Sequence, residues 1–146
     1  MGLTVGVGGE TAGSSGEHVV AVVVRSAEDP LFGPTIGVGL AGDASDLLGD
    51  VAYAVPPLTD VDVADLVRAP RAAIRLLGGD GRPALDLAAL EDVVARVAVL
   101  ADALPELAML ELDPVLVADR GVVVAGAQVR LAHADRADVT RRLSRT

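Results

Sequence analysis

The 146-residue sequence contains no cysteine, no tryptophan and no lysine, and its aromatic residues are Phe32 and Tyr53 alone. Each absence excludes something. Without cysteine there are no disulfides, no thiolate nucleophile and no cysteine-built zinc site, a pattern that fits a reducing, cytoplasmic setting. Every basic side chain is an arginine, so the ammonium that many nucleotide sites place on phosphate has no source in this chain. Without large rings, the core has to be assembled from many small Ala, Val and Leu contacts. Apolar runs are short as well. The longest are Val19 to Val24 and Val122 to Ala127, far below the ~18 residues needed to cross a bilayer. The amino terminus has no basic stretch ahead of an apolar one, so it does not read as a signal peptide. His18 and His133 stand far apart with no partner at metal-ligand spacing, and no serine sits in a strand-turn-helix nucleophile arrangement.

What is present begins with acid. The net charge is −9, unevenly placed: residues 1–130 hold 8 Arg against 19 Asp and Glu, whereas residues 131–146 hold 4 Arg against 2 Asp. The acidic body repels nucleic acid, and residues 133–146 read as an Arg-rich, solvated tail. Gly2, Gly6, Gly8, Gly9, Gly13 and Gly16, among Ser and Thr, give residues 1–16 the composition of a flexible lead-in. Residues 17–132 remain as one domain, and a single core suffices at this length.

Within that domain, His18 to Arg25 reads as a buried strand closed by turn residues from Ser26 to Pro34. Thr35 to Leu40 is a second strand, Gly42 opens a polar turn, and Asp43 to Leu48 has room for one helical turn. A third strand around Val51 to Val55 ends at Pro56 and Pro57. Thr59 is a good N-cap for a helix running to Arg68, with Asp60 and Asp62 complementing its positive end. After Asp86, the apolar residues Leu87, Leu90, Val94, Val97, Ala101 and Leu104 recur at steps of three and four, which predicts a helix stopped by Pro105. Strands around Leu107 to Val117 and Val122 to Val129 follow, joined by a turn at Asp119, Arg120 and Gly121. This order is that of an α+β domain: a mainly antiparallel sheet with helices on one face.

Several short motifs, in this order, resemble the ATP-grasp region of NDP-forming acyl-CoA synthetases. They are Asp29-Pro30-Leu31-Phe32-Gly33-Pro34, Gly39-Leu40-Ala41-Gly42, Asp50, Pro57-Leu58-Thr59, Leu76-Leu77-Gly78, Gly81-Arg82-Pro83, Asp86 and Glu111-Leu112-Asp113-Pro114-Val115-Leu116. The agreement runs from about Asp29 to Leu131 without a notable gap. The same region occurs fused to acetyltransferase domains in bacterial protein lysine acetyltransferases. The resemblance implies the carboxyl-terminal portion of an ATP-grasp fold, with ATP and Mg²⁺ as the ligands of an active member. It also implies a second domain or subunit of a synthetase or acetyltransferase as partner. Departures fall on the charged positions. The family's Arg before Pro-Leu-Thr is Ala54, and an aromatic and an Arg between two glycines are Gly79 and Asp80. Two acids and an Asn become Met109, Glu111 and Asp113, and a late Asp and Arg become Gly126 and Gln128.

The remaining candidates are few. Glu111 and Asp113 lie two apart on a strand, so both side chains face one way and are candidate Mg²⁺ ligands; a solvent-facing carboxylate pair ahead of Pro114 is the plainer reading of the same spacing. Gly39 and Gly42 would let backbone approach a nucleotide, while tight turns use glycine equally well. Phosphoryl transfer also needs cations around the γ-phosphate, and Asp80, Gly126 and Gln128 supply none. The expectation is therefore a degenerate ATP-grasp subdomain acting as a structural, regulatory or docking module. The alternative is one half of an active ATP-dependent acyl-CoA ligase. Self-association is a further expectation, since the small-residue strand Val122 to Val129 would leave a pairing edge if nothing covered it.

Overall fold

The β-branched runs and the amphipathic segments assemble as one antiparallel sheet with helices against it. A computed structural model describes residues 2–6, 18–42, 48–79 and 81–132. The strands are β1 (Gly2–Gly6), β2 (Val20–Asp29), β3 (Gly33–Leu40), β4 (Val51–Ala54), β5 (Leu107–Val117), β6 (Val122–Val124) and β7 (Gly126–Leu131). The helices are α1 (Asp60–Arg68), α2 (Ile74–Leu77) and α3 (Leu87–Ala103), with a 3₁₀ turn at Arg71–Ala73 leading into α2. Strand order is β1-β7-β5-β2-β3-β4, with β6 paired to β5, and every pairing is antiparallel.

One face of the sheet carries the core. Val20, Val22 and Val24 of β2, Ile36, Val38 and Leu40 of β3, and Val115 and Val117 of β5 are buried in a cluster with Val63, Leu66 and Val67 of α1 and Leu90, Val94, Val97, Ala98 and Ala101 of α3. Leu90, Val94, Val97 and Ala101 of the three-and-four spacing read from the sequence form the buried stripe of α3, while Leu87 is partly buried and Leu104, just beyond the helix, is exposed. Asp86 caps that helix, accepting from the Ala89 amide, and Thr59 caps α1 in a reciprocal box with Asp62. Arg68 ties the two helices together through Glu91 at 2.6 Å.

Three expectations change. The turn expected from Ser26 to Pro34 is much shorter, because pairing continues to Asp29↔Gly33. Asp29 Oδ1 accepts from the Leu31 and Phe32 amides, and Gly33 takes a φ of 78°; together these let a three-residue loop close the hairpin. Residues 2–6 of the expected flexible lead-in are strand β1, paired with β7 from Gly2↔Arg130 to Gly6↔Gly126. The backbone of β7 supplies the partners that glycine-rich composition alone does not suggest. The pairing edge foreseen along Val122 to Val129 is therefore covered by β1 over its Gly126 to Val129 part. The 3₁₀ turn and α2 carry little periodic signal in four to seven residues, and no element was expected there. Residues 133–146, and Asp43 to Leu47 of the expected helical turn, lie outside the described residues.

Strand β5 breaks strict alternation twice. Its register against β2 steps from Val22↔Val115 to Val24↔Leu112, so Asp113 and Pro114 together oppose Val23. A second step against β7, between Leu107↔Leu131 and Met109↔Arg130, leaves Ala108 extra. Bulges of this kind change which residues face the core on either side of them. Leu110 and Leu112 pack into the core between the two breaks, and Val115 and Val117 do so beyond the one at Asp113 and Pro114.

Candidate functional site

Alternation puts a different set of side chains on the opposite face of the sheet. Cross-strand partners form a row through Gln128, Glu111, Arg25, Gly37 and Tyr53, taken from β7, β5, β2, β3 and β4 in turn. A second row runs through Val23, Gly39 and Val51, with Asp113 at the bulge opposite Val23. Having no side chains, Gly37 and Gly39 lower the floor between them. A Cβ at Gly37 would lie 3.0 Å from Tyr53 Cε1, and one at Gly39 would lie 3.1 Å from both the Asp50 carbonyl oxygen and Val51 Cγ2. The neighbouring strand therefore leans over both glycines.

The result is a cleft of about 250 Å³ lined by Val23, Arg25, Gly37, Gly39, Leu40, Gly42, Val51 and Asp113. Three of the four residues selected from the sequence, Gly39, Gly42 and Asp113, line it together. Gly39 is a close-approach glycine within β3, and Gly42 takes a φ of 119° just beyond that strand. The fourth, Glu111, reaches the cleft through Arg25, whose Nε donates to Glu111 Oε2 at 2.6 Å. Both side chains are partly shielded, at 35% and 23% exposure.

Arg25 was not among the residues selected from the sequence. The signal that would have found it is the charge itself: one arginine closing a run of buried valines must find a partner or solvent. The replaced positions separate by face. Ala54 packs against the core cluster, on the side away from the cleft. Gly79 is fixed in a mutual backbone bridge with Arg82, Gln128 shares the Glu111 row, and Asp80 lies outside the described residues. Gly126 has a structural reason of its own, because a Cβ there would run into the Asp113 carbonyl oxygen.

Residues 11–131 match the ATP-grasp domain family. The chain belongs to that family. It is 31% identical over 110 residues to the beta subunit of acetate–CoA ligase [ADP-forming] I of Pyrococcus furiosus, a match covering 75% of this chain and 47% of that subunit. A 4-hydroxybutyrate–CoA ligase [ADP-forming] of Nitrosopumilus maritimus is 29% identical over 100 residues, covering 68% of this chain and 14% of that protein. Among solved structures, the dinucleotide-forming acetyl-coenzyme A synthetase 1 of Candidatus Korarchaeum cryptofilum, in complex with coenzyme A and Mg-AMPPCP, superposes with a TM-score of 0.73 at 30% identity. That superposition covers 77% of this chain and 53% of the other. The ATP-grasp chain described here thus spans about half the length of the P. furiosus subunit and of the solved synthetase chain. Among its described residues no helix is long and apolar enough to cross a membrane.

The donors present fit the Mg²⁺ implied by this kinship poorly, since Asp113 lines the cleft while Glu111 is engaged by Arg25. Mg²⁺ asks for near-octahedral oxygen coordination, with one or two carboxylates besides phosphate and water. Here the Glu111 carboxylate already accepts from a guanidinium at 2.6 Å. Among the described residues no group of three or more His, Cys, Asp or Glu is placed to hold a metal.

Proposed function

We propose that this chain is an ATP-grasp carboxyl-terminal subdomain of the NDP-forming acyl-CoA synthetase kind that has given up nucleotide chemistry. It serves as a structural, regulatory or subunit-docking module in the cytoplasm, within a synthetase or an acetyltransferase-fused protein. The observation that carries this reading is the Arg25–Glu111 ion pair, which engages one of the two carboxylates that are candidate Mg²⁺ ligands. With the pair formed, the charges of Arg25, Glu111 and Asp113 sum to −1, and the chain has no lysine to offset a polyphosphate. Isothermal titration with Mg-ATP and with Mg-ADP tests it directly. No saturable heat is expected, and a micromolar affinity for either would overturn the reading.

A second reading is supported by length. Because the chain covers 47% of the P. furiosus subunit and 53% of the solved synthetase chain, it is suited to be one half of an ATP-dependent acyl-CoA ligase completed by another domain or subunit. The partner would bring the lysines and the adenine pocket, and Glu111 with Asp113 would keep one magnesium. Mixing the chain with such a partner and following acyl-CoA formation from acid, CoA and ATP distinguishes the two readings. Activity that survives Asp113→Ala unchanged would remove the metal role.

A further inference from the structure

The misfit between donors and metal has a specific author in the fold, and we propose that it is Arg25: its guanidinium stands in for the divalent ion and keeps metal off the Glu111–Asp113 face. The inference rests on the non-catalytic reading above and deepens it by naming the residue responsible.

Three observations converge on that role. First, Arg25 and Glu111 are direct cross-strand partners in the β2–β5 ladder, so their contact is set by backbone register rather than by the chance meeting of two long side chains. Second, the contact is a charge-assisted bond of 2.6 Å between groups only 35% and 23% exposed, where water screens less than at an open surface. Third, Arg25 also lines the cleft that Asp113 lines, so the positive charge lies on the path a cation would take to either carboxylate.

The electrostatic consequence follows in sign and order. A doubly charged ion approaching Asp113 meets Arg25 as a like charge, and one approaching Glu111 must first displace a guanidinium from a short bond. Removing the Arg25 charge changes the three-residue sum from −1 to −2 and frees Glu111 Oε2. Since Glu111 and Asp113 lie on one face of β5, that single change presents two carboxylates to the same cleft, a donor pair suited to a hard cation.

Mn²⁺ alone, followed by the loss of its free-ion electron paramagnetic resonance signal, is a suitable probe because nucleotide is not needed. Five forms are compared: the wild-type chain, Glu111→Gln, Arg25→Gln, Arg25→Met, and Arg25→Gln carrying Glu111→Gln and Asp113→Asn as well. Circular dichroism verifies that each is folded. The wild-type chain is expected to bind no more Mn²⁺ than the triple variant. Arg25→Gln and Arg25→Met are expected to bind at least about tenfold more tightly, and the gain should vanish in the triple variant.

Wild-type binding that disappears on Glu111→Gln would overturn the proposal, and so would Arg25 variants that bind no better than wild type. The wild-type measurement decides even if neither Arg25 variant folds. The test also separates this idea from the reading beneath it. Mg-ATP binding by the wild-type chain would defeat the non-catalytic assignment, whereas failure to gain Mn²⁺ on losing Arg25 would defeat only the role given to that residue.

Discussion

The Gly121 amide donates to Asp86 Oδ2 at 2.7 Å across 35 positions of sequence. The other carboxylate oxygen, Oδ1, accepts from Ala89 at the start of α3, and the Asp86 amide donates to the Ala118 carbonyl at 2.7 Å. One aspartate therefore caps the longest helix and pins it to the β5–β6 turn. The Gly121 amide first, and the Ala89 amide second, hold its carboxyl below the ordinary 3.8. Because the folded form binds this proton less readily than the unfolded chain, the stabilisation is complete above about pH 4 and is lost as pH falls through the depressed value. Asp86→Asn leaves one acceptor oxygen for two donors. It should lower the thermal midpoint at pH 7, and the gap from wild type should narrow at pH 3, below the ordinary 3.8, where the unfolded chain takes up the proton more readily than the folded one. A gap of equal size at both pH values would contradict this role.

The N-cap of α1 gives a second prediction. Thr59 and Asp62 satisfy each other's backbone amides, with Thr59 N donating to Asp62 Oδ2 at 2.8 Å and Asp62 N to Thr59 Oγ1 at 3.2 Å. Thr59→Ala removes the hydroxyl acceptor and should cost about 0.5–2 kcal/mol in urea unfolding, while Thr59→Ser should cost little.

Helix α3 allows a paired test of burial on one element. Leu90 is 0% exposed and Val99 is 68% exposed. Leu90→Ala should lower unfolding free energy by about 2–5 kcal/mol, and more if the cavity it leaves does not collapse. Val99→Ala should stay within about 0.5 kcal/mol of wild type. Equal effects would mean that α3 is rotated from the orientation described.

These elements differ in how far the sequence alone exposes them. α3 is legible because a long helix repeats its apolar signal, with Asp86 before it and Pro105 after it. The β5 and β6–β7 hairpin is legible through the Asp119-Arg120-Gly121 turn between apolar runs, although Ala125 interrupts the second strand. β1 is not, because its pairing is a tertiary event in which β7 supplies backbone partners that composition does not record. The candidate site is half legible. Gly39, Gly42 and Asp113 are visible as motif residues and do converge on one cleft. The Arg25–Glu111 contact depends on the register between strands 86 positions apart in sequence, and on a bulge at Asp113 and Pro114 that no local pattern announces. Motif reading therefore finds residues that shape turns and floors more readily than a pair whose meaning arises only across the sheet.

That distinction yields a last prediction, about undoing the family departures on β7. The resemblance places an Asp where this chain has Gly126 and an Arg where it has Gln128, so a simple view would restore both and expect nucleotide chemistry to return. The two positions are not equivalent. Gln128 is exposed and has room for a longer side chain, so Gln128→Arg should leave stability within about 0.5 kcal/mol of wild type. A Cβ at Gly126 would meet the Asp113 carbonyl oxygen, which is backbone and cannot rotate away as a side chain tip would. Gly126→Asp must therefore shift β7 or the β5 bulge, and it should destabilise by about 1–3 kcal/mol, as should Gly126→Ala. Urea midpoints for the three single variants decide the matter. If Gly126→Asp were as stable as Gln128→Arg, the β5–β7 approach would be looser than described, and Gly126 would count as a lost functional residue rather than a fixture of the bulge that positions Asp113.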